Sequence, residues 1–234
     1  LSLPLTRTLE IKGEMVANYF DNLLPDSARI RERIARRFKT KTLDTFALLE
    51  AIGRDCVGAV QLLPEASTPD GWNRVECEPL TESEVASALR SVPADPRTHP
   101  GSEAPAFRIS LAGAQEKTAF TLVKGQWCRP VAATPTTHIF KLPLGVIANT
   151  SRVEMFDSVE NEWLCAQIIE ALGLPMARTE MATFDDQRAL IVDRFDREWM
   201  DGGQWIARLP QEDFCQALGQ PPRLKYEEDG GPTL

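Results

Sequence analysis

Histidine is almost missing from this sequence: only His99 and His138 occur among 234 residues, and they supply no metal cluster. Cysteine is scarce too. Cys56, Cys77, Cys128, Cys165 and Cys215 are odd in number and widely spaced, with no C-x-x-C. That excludes a disulfide framework and a zinc ribbon, and it fits reduced thiols in a cytoplasmic protein. No apolar run approaches the roughly 20 residues of a membrane span, and no signal-peptide pattern is visible. Positive charge is in deficit, 26 Lys and Arg against 34 Asp and Glu. The net −8 argues against general nucleic-acid binding but leaves room for a local basic patch. What is present is an ordinary globular composition, 43% hydrophobic and 26% charged, on a chain long enough for one large domain or two small ones.

A basic stretch does occur. Between Arg29 and Lys41 seven basic residues accompany one acidic residue, Glu32. It reads either as a solvated helix face or as a contact surface for an acidic partner or phosphates. Around it, Val16, Tyr19, Phe20, Leu23 and Leu24 recur at helical spacing, Pro25-Asp26-Ser27 breaks and recaps, and Ile30, Ile34 and Phe38 mark a second helix. Residues 46–52 read as a third helix stopped by Gly53, and 57–63 as a strand. Thr81-Glu82-Ser83-Glu84 is a capping box that opens a helix to about Val92. Pro93, Pro96, Pro100 and Pro105 then punctuate a linker.

Beyond the linker the pattern changes to strands. Residues 107–111, 118–123 and 138–142 read as strands, 157–172 as a capped helix closed by Gly173, and 179–183 with 189–192 as a hairpin across Asp185-Asp186. Strands, one helix and more strands make an α+β fold rather than alternating βαβ units. The expected organisation is a mostly helical subdomain over 1–92, a linker over 93–106, and an antiparallel sheet with its helix over 107–234.

Three places carry chemistry. In FRISLAGAQEKTAF, Gly113 allows a tight turn whose N–H groups form an anion nest, and Lys117 adds positive charge beside it. The same residues also suit an ordinary hairpin turn with an exposed lysine. The spacing is not that of a G-x-x-x-x-G-K-[ST] loop, so a phosphate bound here lies under a hairpin, as in protein kinases. Lys141 stands inside the apolar run Ile139-Phe140-Lys141-Leu142, where a lysine is paired or else faces solvent at a sheet edge. Glu162, or failing that Glu160, on the following helix is the expected partner. Asp193-Arg194-Phe195-Asp196-Arg197 leaves an apolar strand and reads either as an adenine-contacting hinge or as a salt-bridged strand end.

The stretches YFDNLLPDS, IGRDCVGAVQLLP, FRISLAGAQEKTA, TPTTHIFKLP, DSVENE, DRFDR, RLPQEDFCQALG and KYEEDGGP, in this order, resemble the HipA-type toxin kinases of bacterial toxin–antitoxin pairs. The resemblance runs through nearly the whole chain. It implies a kinase-like N-terminal lobe, ATP and Mg²⁺ as cofactors, and phosphate transfer to a protein serine. The family substrate it implies is glutamyl-tRNA synthetase, so that translation stops and growth arrest and persistence follow. It also implies a helix-turn-helix antitoxin dimer as partner, operator DNA reached through that antitoxin, and a cytoplasmic location that becomes nucleoid-associated in the complex. By position, Ala112, Gly113, Ala114, Gln115, Glu116 and Lys117 would cradle phosphates, and Lys141 would contact them. Asp193, Arg194 and Phe195 would meet adenine, and Ser110 would be autophosphorylated.

The sequence departs from that pattern in one respect. A catalytic aspartate in a D-G-x-x-K-N-like motif and a downstream metal-binding aspartate are expected after the hinge. All five asparagines (Asn18, Asn22, Asn73, Asn149 and Asn161) lie upstream of it. No catalytic residue or metal ligand is therefore assigned within the chain, which is expected to lack most of the C-terminal helical lobe and to be inactive alone. The start at Leu1 and the turn-rich end at Gly230-Gly231-Pro232-Thr233-Leu234 suggest the same. Two other functions compete: a non-catalytic half-protein that binds an antitoxin and nucleotide, and a nucleic-acid module built on the 29–41 face.

Overall fold

Local capping explains where the helices begin. The computed structural model describes residues 2–3, 10–94, 109–148 and 152–233. In chain order it contains α1 (Glu14–Asp21), α2 (Ala28–Phe38), α3 (Thr45–Ile52), β1 (Cys77–Pro79), α4 (Glu82–Ser91), β2 (Lys117–Val123), β3 (Gln126–Pro130), β4 (His138–Lys141), β5 (Gly145–Ala148), β6 (Arg152–Met155), α5 (Ser158–Ala171), β7 (Thr179–Phe184), β8 (Gln187–Asp193), β9 (Arg197–Met200), β10 (Trp205–Arg208) and α6 (Phe214–Leu218). Ser27 accepts from Ile30 N–H to start α2, and Asp44 from Ala47 N–H to start α3. Reciprocal capping boxes, Thr81 with Glu84 and Asp213 with Gln216, open α4 and α6. Among the described residues no helix is long and apolar enough to cross a membrane, and all five cysteines are free thiols.

The chain folds into two compact units, neither continuous in sequence. One gathers Leu1–Ser67, Ala106–Ala114 and Arg208–Leu234; the other gathers Thr68–Pro105 and Gln115–Ala207. The expected linker over 93–106 does not by itself divide the units, and its residues 95–106 lie outside the described residues.

The first unit is helical. Leu23, Leu24, Leu48, Leu49, Ile52 and Cys56 form its core, with Phe20, Ile34 and Phe38 packed against them. Side-chain amides tie α1 to the C-terminal segment. Asn18 Nδ2 donates to Gly219 O, and Asn22 Nδ2 to both Asn18 O and Gln220 O, each at 2.8 Å. Gln216 Nε2 donates to Tyr19 O at 3.1 Å. The strand expected over 57–63 does not form. Gly58 has φ +73°, and a Cβ there would lie 2.8 Å from Gln211 O, so the stretch turns where a strand would have to continue.

The second unit is built on a six-stranded sheet in the order β1-β3-β2-β4-β8-β7, antiparallel throughout. The hairpins β5–β6 and β9–β10 stand apart from it. Phe140 of β4 is fully buried among Phe120, Trp127 and Phe184, with ring centroids 4.8, 4.9 and 5.8 Å away. Because side chains alternate along a strand, Lys141 emerges on the opposite face, in register with Lys117 of β2 and Leu190 of β8. α5 lies against β7 and β8.

The segment before β2 corrects a second expectation. Residues 107 and 108 of the expected strand 107–111 lie outside the described residues. Ile109 makes one isolated parallel bridge with Asp55, and Gly113 one with Pro25. β2 is already flanked by β3 and β4, which leaves it no free edge for a strand arriving through Gly113. The hairpin turn leading out of β2 is Lys124-Gly125, and Gly113 turns no hairpin.

Asn22 is buried and holds two carbonyls. Asn22→Ala leaves the Gln220 carbonyl without this donor, and a loss of about 1–3 kcal/mol is expected. Urea unfolding of the two proteins side by side measures it.

Candidate functional site

The six residues expected to cradle phosphate are divided between the units: Ala112, Gly113 and Ala114 belong to the first, Gln115, Glu116 and Lys117 to the second. In the first unit the approach to the loop is pinned to main chain. Ser110 N–H donates to Asp55 O at 3.1 Å, and Asp26 N–H to Gly113 O at 3.2 Å. The Ser110 hydroxyl donates to Leu23 O at 2.7 Å, and the residue has no exposed surface. Gly113 has φ +99°, which glycine adopts without strain. Ser110, the residue expected to carry phosphate, thus faces a backbone carbonyl, and adding phosphate requires 109–113 to leave these partners first.

In the second unit Gln115 and Glu116 brace the end of β4. Gln115 Nε2 donates to Leu142 O at 2.6 Å, and Leu142 N–H to Glu116 O at 3.0 Å. Lys117 and Lys141 are directly opposite in the β2–β4 register. Cross-strand partners of this kind have Cβ atoms about 4.5–5.5 Å apart on one face. The Lys141 side chain is 25% exposed, and its ammonium forms an ion pair with Glu162 Oε1 of α5. Glu160 is instead paired with Arg188 of β8.

The exit of β8 combines two features. Arg194 is buried, with its guanidinium on both carboxylate oxygens of Asp196 (3.0 and 2.7 Å) and on Thr136 Oγ1 (2.9 Å), so a salt-bridged strand end is present. Asp193 N–H donates to Arg178 O and Arg194 N–H to Thr137 O, both at 2.9 Å. Phe195 is 69% exposed, and among the described residues its N–H donates to no backbone acceptor. Of the three residues expected at a hinge, Phe195 is the one with an exposed ring.

Sequence reasoning missed the network behind this strand end. Thr137 Oγ1 accepts from Leu122 N–H at 2.8 Å and lies 2.7 Å from His138 Nδ1, while His138 Nε2 lies 3.0 Å from Asp193 Oδ1. With the hydroxyl donating to Nδ1, the imidazole proton sits on Nε2 and faces the carboxylate. Burial pushes the His138 pKa below its usual 6.5, against the upward pull of Asp193 and Glu180; Arg178 adds a smaller downward push. The signal was His138 directly opposite a strand-terminal aspartate, legible only once the register is known.

The basic 29–41 stretch is α2 and its exit. Arg31 serves the fold, on Asp21 Oδ1 at 2.7 Å and Pro25 O at 2.6 Å, and Arg33 is buried, while Arg29, Lys39 and Lys41 are exposed. Among the described residues there is no group of three or more His, Cys, Asp or Glu able to hold a metal ion.

Comparison with known proteins agrees along the whole chain. A family model described as the HipA-like C-terminal domain matches residues 109–233, and one described as the HipA N-terminal domain matches 1–63. A putative kinase, Y4mE, of Sinorhizobium fredii is 35% identical over 241 residues, covering 100% of this chain and 54% of its own. The serine/threonine-protein kinase toxin HipA of Shewanella oneidensis is 29% identical, covering 97% of this chain and 50% of its own. Among solved structures, the complex of Shewanella oneidensis HipA, HipB and operator DNA matches with a TM-score of 0.69 and 27% identity, over 94% of this chain and 48% of that one. The chain therefore spans about half the length of the curated relatives it matches.

Two outcomes follow from this geometry. Ser110→Ala leaves Leu23 O without its donor and should cost about 1 kcal/mol, read from urea midpoints, whereas Ser110→Asp places a charge in a fully buried position and should cost more. For His138, the folded pKa lies below the unfolded one, so the fold binds fewer protons. Its stability is then fully present above about pH 6.5 and is lost as pH falls through the lowered folded value. Urea midpoints at pH 7.5 and 5.5 should fall more for the natural protein than for His138→Asn, and equal falls would contradict the assignment.

Proposed function

The chain belongs to the HipA-like family, and on that footing we propose that it forms the nucleotide-binding part of a serine/threonine kinase that uses ATP. The observation that carries this reading is the register that sets Lys117 and Lys141 side by side, with Glu162 fixing Lys141. Two ammonium groups on directly opposed positions destabilise the sheet, and a polyphosphate lying against them relieves that repulsion. Phe195, with its exposed ring, offers a surface for a purine.

The aspartates that follow the hinge most closely are otherwise engaged. Asp196 holds Arg194, Asp201 accepts from Trp205 Nε1 at 2.6 Å, and Asp213 caps α6. This favours a second reading in which the chain binds nucleotide and an antitoxin as a regulator without transferring phosphate. In the kinase reading the phosphotransfer carboxylates and Mg²⁺ ligands belong to the part of the longer relatives that this chain does not span. The acceptor is then a protein serine, with glutamyl-tRNA synthetase as the first candidate, and translation arrest is the outcome. In both readings the partner is a HipB-like antitoxin, and operator DNA is reached through it in the cytoplasm, by likeness to the solved Shewanella complex.

Calorimetric titration with Mg·ATP tests the shared premise. Lys141→Ala and Lys117→Ala should each weaken binding about tenfold or more, ~1.4 kcal/mol, with melting little changed. Equal affinity in all three proteins would reject the nucleotide site. Transfer of labelled phosphate to a peptide by the pure chain, absent in Lys141→Ala, would reject the regulator reading.

A further inference from the structure

α5 is a helix with weak anchorage. Within it only Ser158, Val159 and Ala166 are buried, and Leu164, Ile168 and Leu172 along its outer side are exposed. Packing therefore fixes its rotation poorly. Its N-terminus also lacks the usual device, because Asp157 at the N-cap position makes no side-chain cap. Polar contacts from the segment after β4 and from β8 take over. Leu144 N–H donates to Ser158 Oγ at 2.9 Å. Arg188 of β8 reaches the same end twice: Nη2 donates to Phe156 O at 2.9 Å, and Nη1 pairs with Glu160 Oε1.

The geometry of that grip matters for Lys141. Glu160 and Glu162 are two residues apart, so they project about 200° apart around the helix. They lie on opposite flanks of the line through Val159 and Ala166 that meets the sheet. Arg188 and Lys141 stand on the same sheet face, since Lys141 is opposite Leu190 and Arg188 is two residues before it. Two cations from neighbouring strands thus hold the first turns of α5 from both flanks. Both glutamates are in reach of Lys141 by sequence spacing. Arg188 takes Glu160, whose other oxygen, Oε2, is buried without a partner, and Glu162 is left for Lys141.

We propose that Arg188 is a positioning residue: it sets the rotation of α5 so that Glu162 meets Lys141. This rests on the reading of Lys141 as a phosphate contact only for its consequence in binding; the positioning itself is a property of the chain alone. With Arg188 neutralised, Glu160 loses its ion pair, the Phe156 carbonyl loses its donor, and the first turn of α5 is free to roll, which loosens the Lys141–Glu162 pair.

The test labels lysines by reductive ¹³C-dimethylation and follows the Lys141 resonance, assigned by its loss in Lys141→Arg, well below the melting temperature. Glu162→Gln should move it toward the position of an exposed lysine such as Lys39. Arg188→Gln should move it the same way by half that displacement or more, and Arg188→Lys, which keeps the charge but not the fork, by less. A role confined to stability lowers the melting temperature of Arg188→Gln without shifting this resonance, and that result overturns the proposal. No shift in Glu162→Gln overturns it as well, because the pair would then not exist in solution. Mg·ATP titration of the same proteins reads the consequence. Arg188→Gln should weaken binding several-fold. Failure of the natural protein to bind at all rejects the nucleotide reading, while the resonance decides the positioning.

Discussion

The burial of Phe140 is the constraint on which the rest of the second unit depends. Its ring is enclosed by Phe120, Trp127 and Phe184, and a residue of that size cannot exchange faces without opening the core. A strand slipped by one residue turns every side chain over. Phe140 therefore fixes which way Lys141 points, and the β2–β4 register then fixes Lys117 beside it. On β8 the same alternation places Ile191 with Phe140, and Leu190 and Arg188 with Lys141. The strand-borne cations Lys117, Lys141 and Arg188 are thus placed by apolar contacts on the other side of the sheet.

Much of this was legible in the sequence, and the parts that were not have physical reasons. A lysine inside Ile139-Phe140-Lys141-Leu142 and two glutamates at the start of a helix announce themselves by charge against an apolar background, although the cap expected from Asp157 does not form. The Asp185-Asp186 hairpin and the Thr81 capping box did so through turn and cap chemistry. Spacing named Glu162 with Glu160 as the fallback and could not decide between them outright, because that depends on helix rotation, which a third residue on another strand controls. β1 escaped notice because three residues ending in Pro79 carry no alternation, and β9–β10 because its strands are only four residues each. Residues 57–63 looked like a strand by composition and fail to be one at a single left-handed glycine.

The turn at Gly113 shows a different limit. Composition identified a glycine that needs freedom, and its φ of +99° shows that it uses it. Composition could not say what the turn joins. The answer lies in partners far away in sequence, the carbonyl of Asp55 and the N–H of Asp26, which bind 110–113 as a strap in the first unit while Lys117 begins a strand in the second. Ser110 was singled out for its hydroxyl, and that hydroxyl is held by a carbonyl 87 residues earlier in the chain.

The amide of Asn22 and the carbonyl of Gln220 are 198 residues apart. Ribosomes add about 5–20 residues per second, so the acceptor emerges roughly 10–40 s after the donor by that rate. α1 is made well before the segment that satisfies Asn18, Asn22 and Tyr19 O, about 200 residues further along the chain. The second unit, drawn from 68–105 and 115–207, is complete before the first can close. Until Gln220 and its neighbours are made, Asn18 and Asn22 of α1 keep these buried-to-be amides exposed to water.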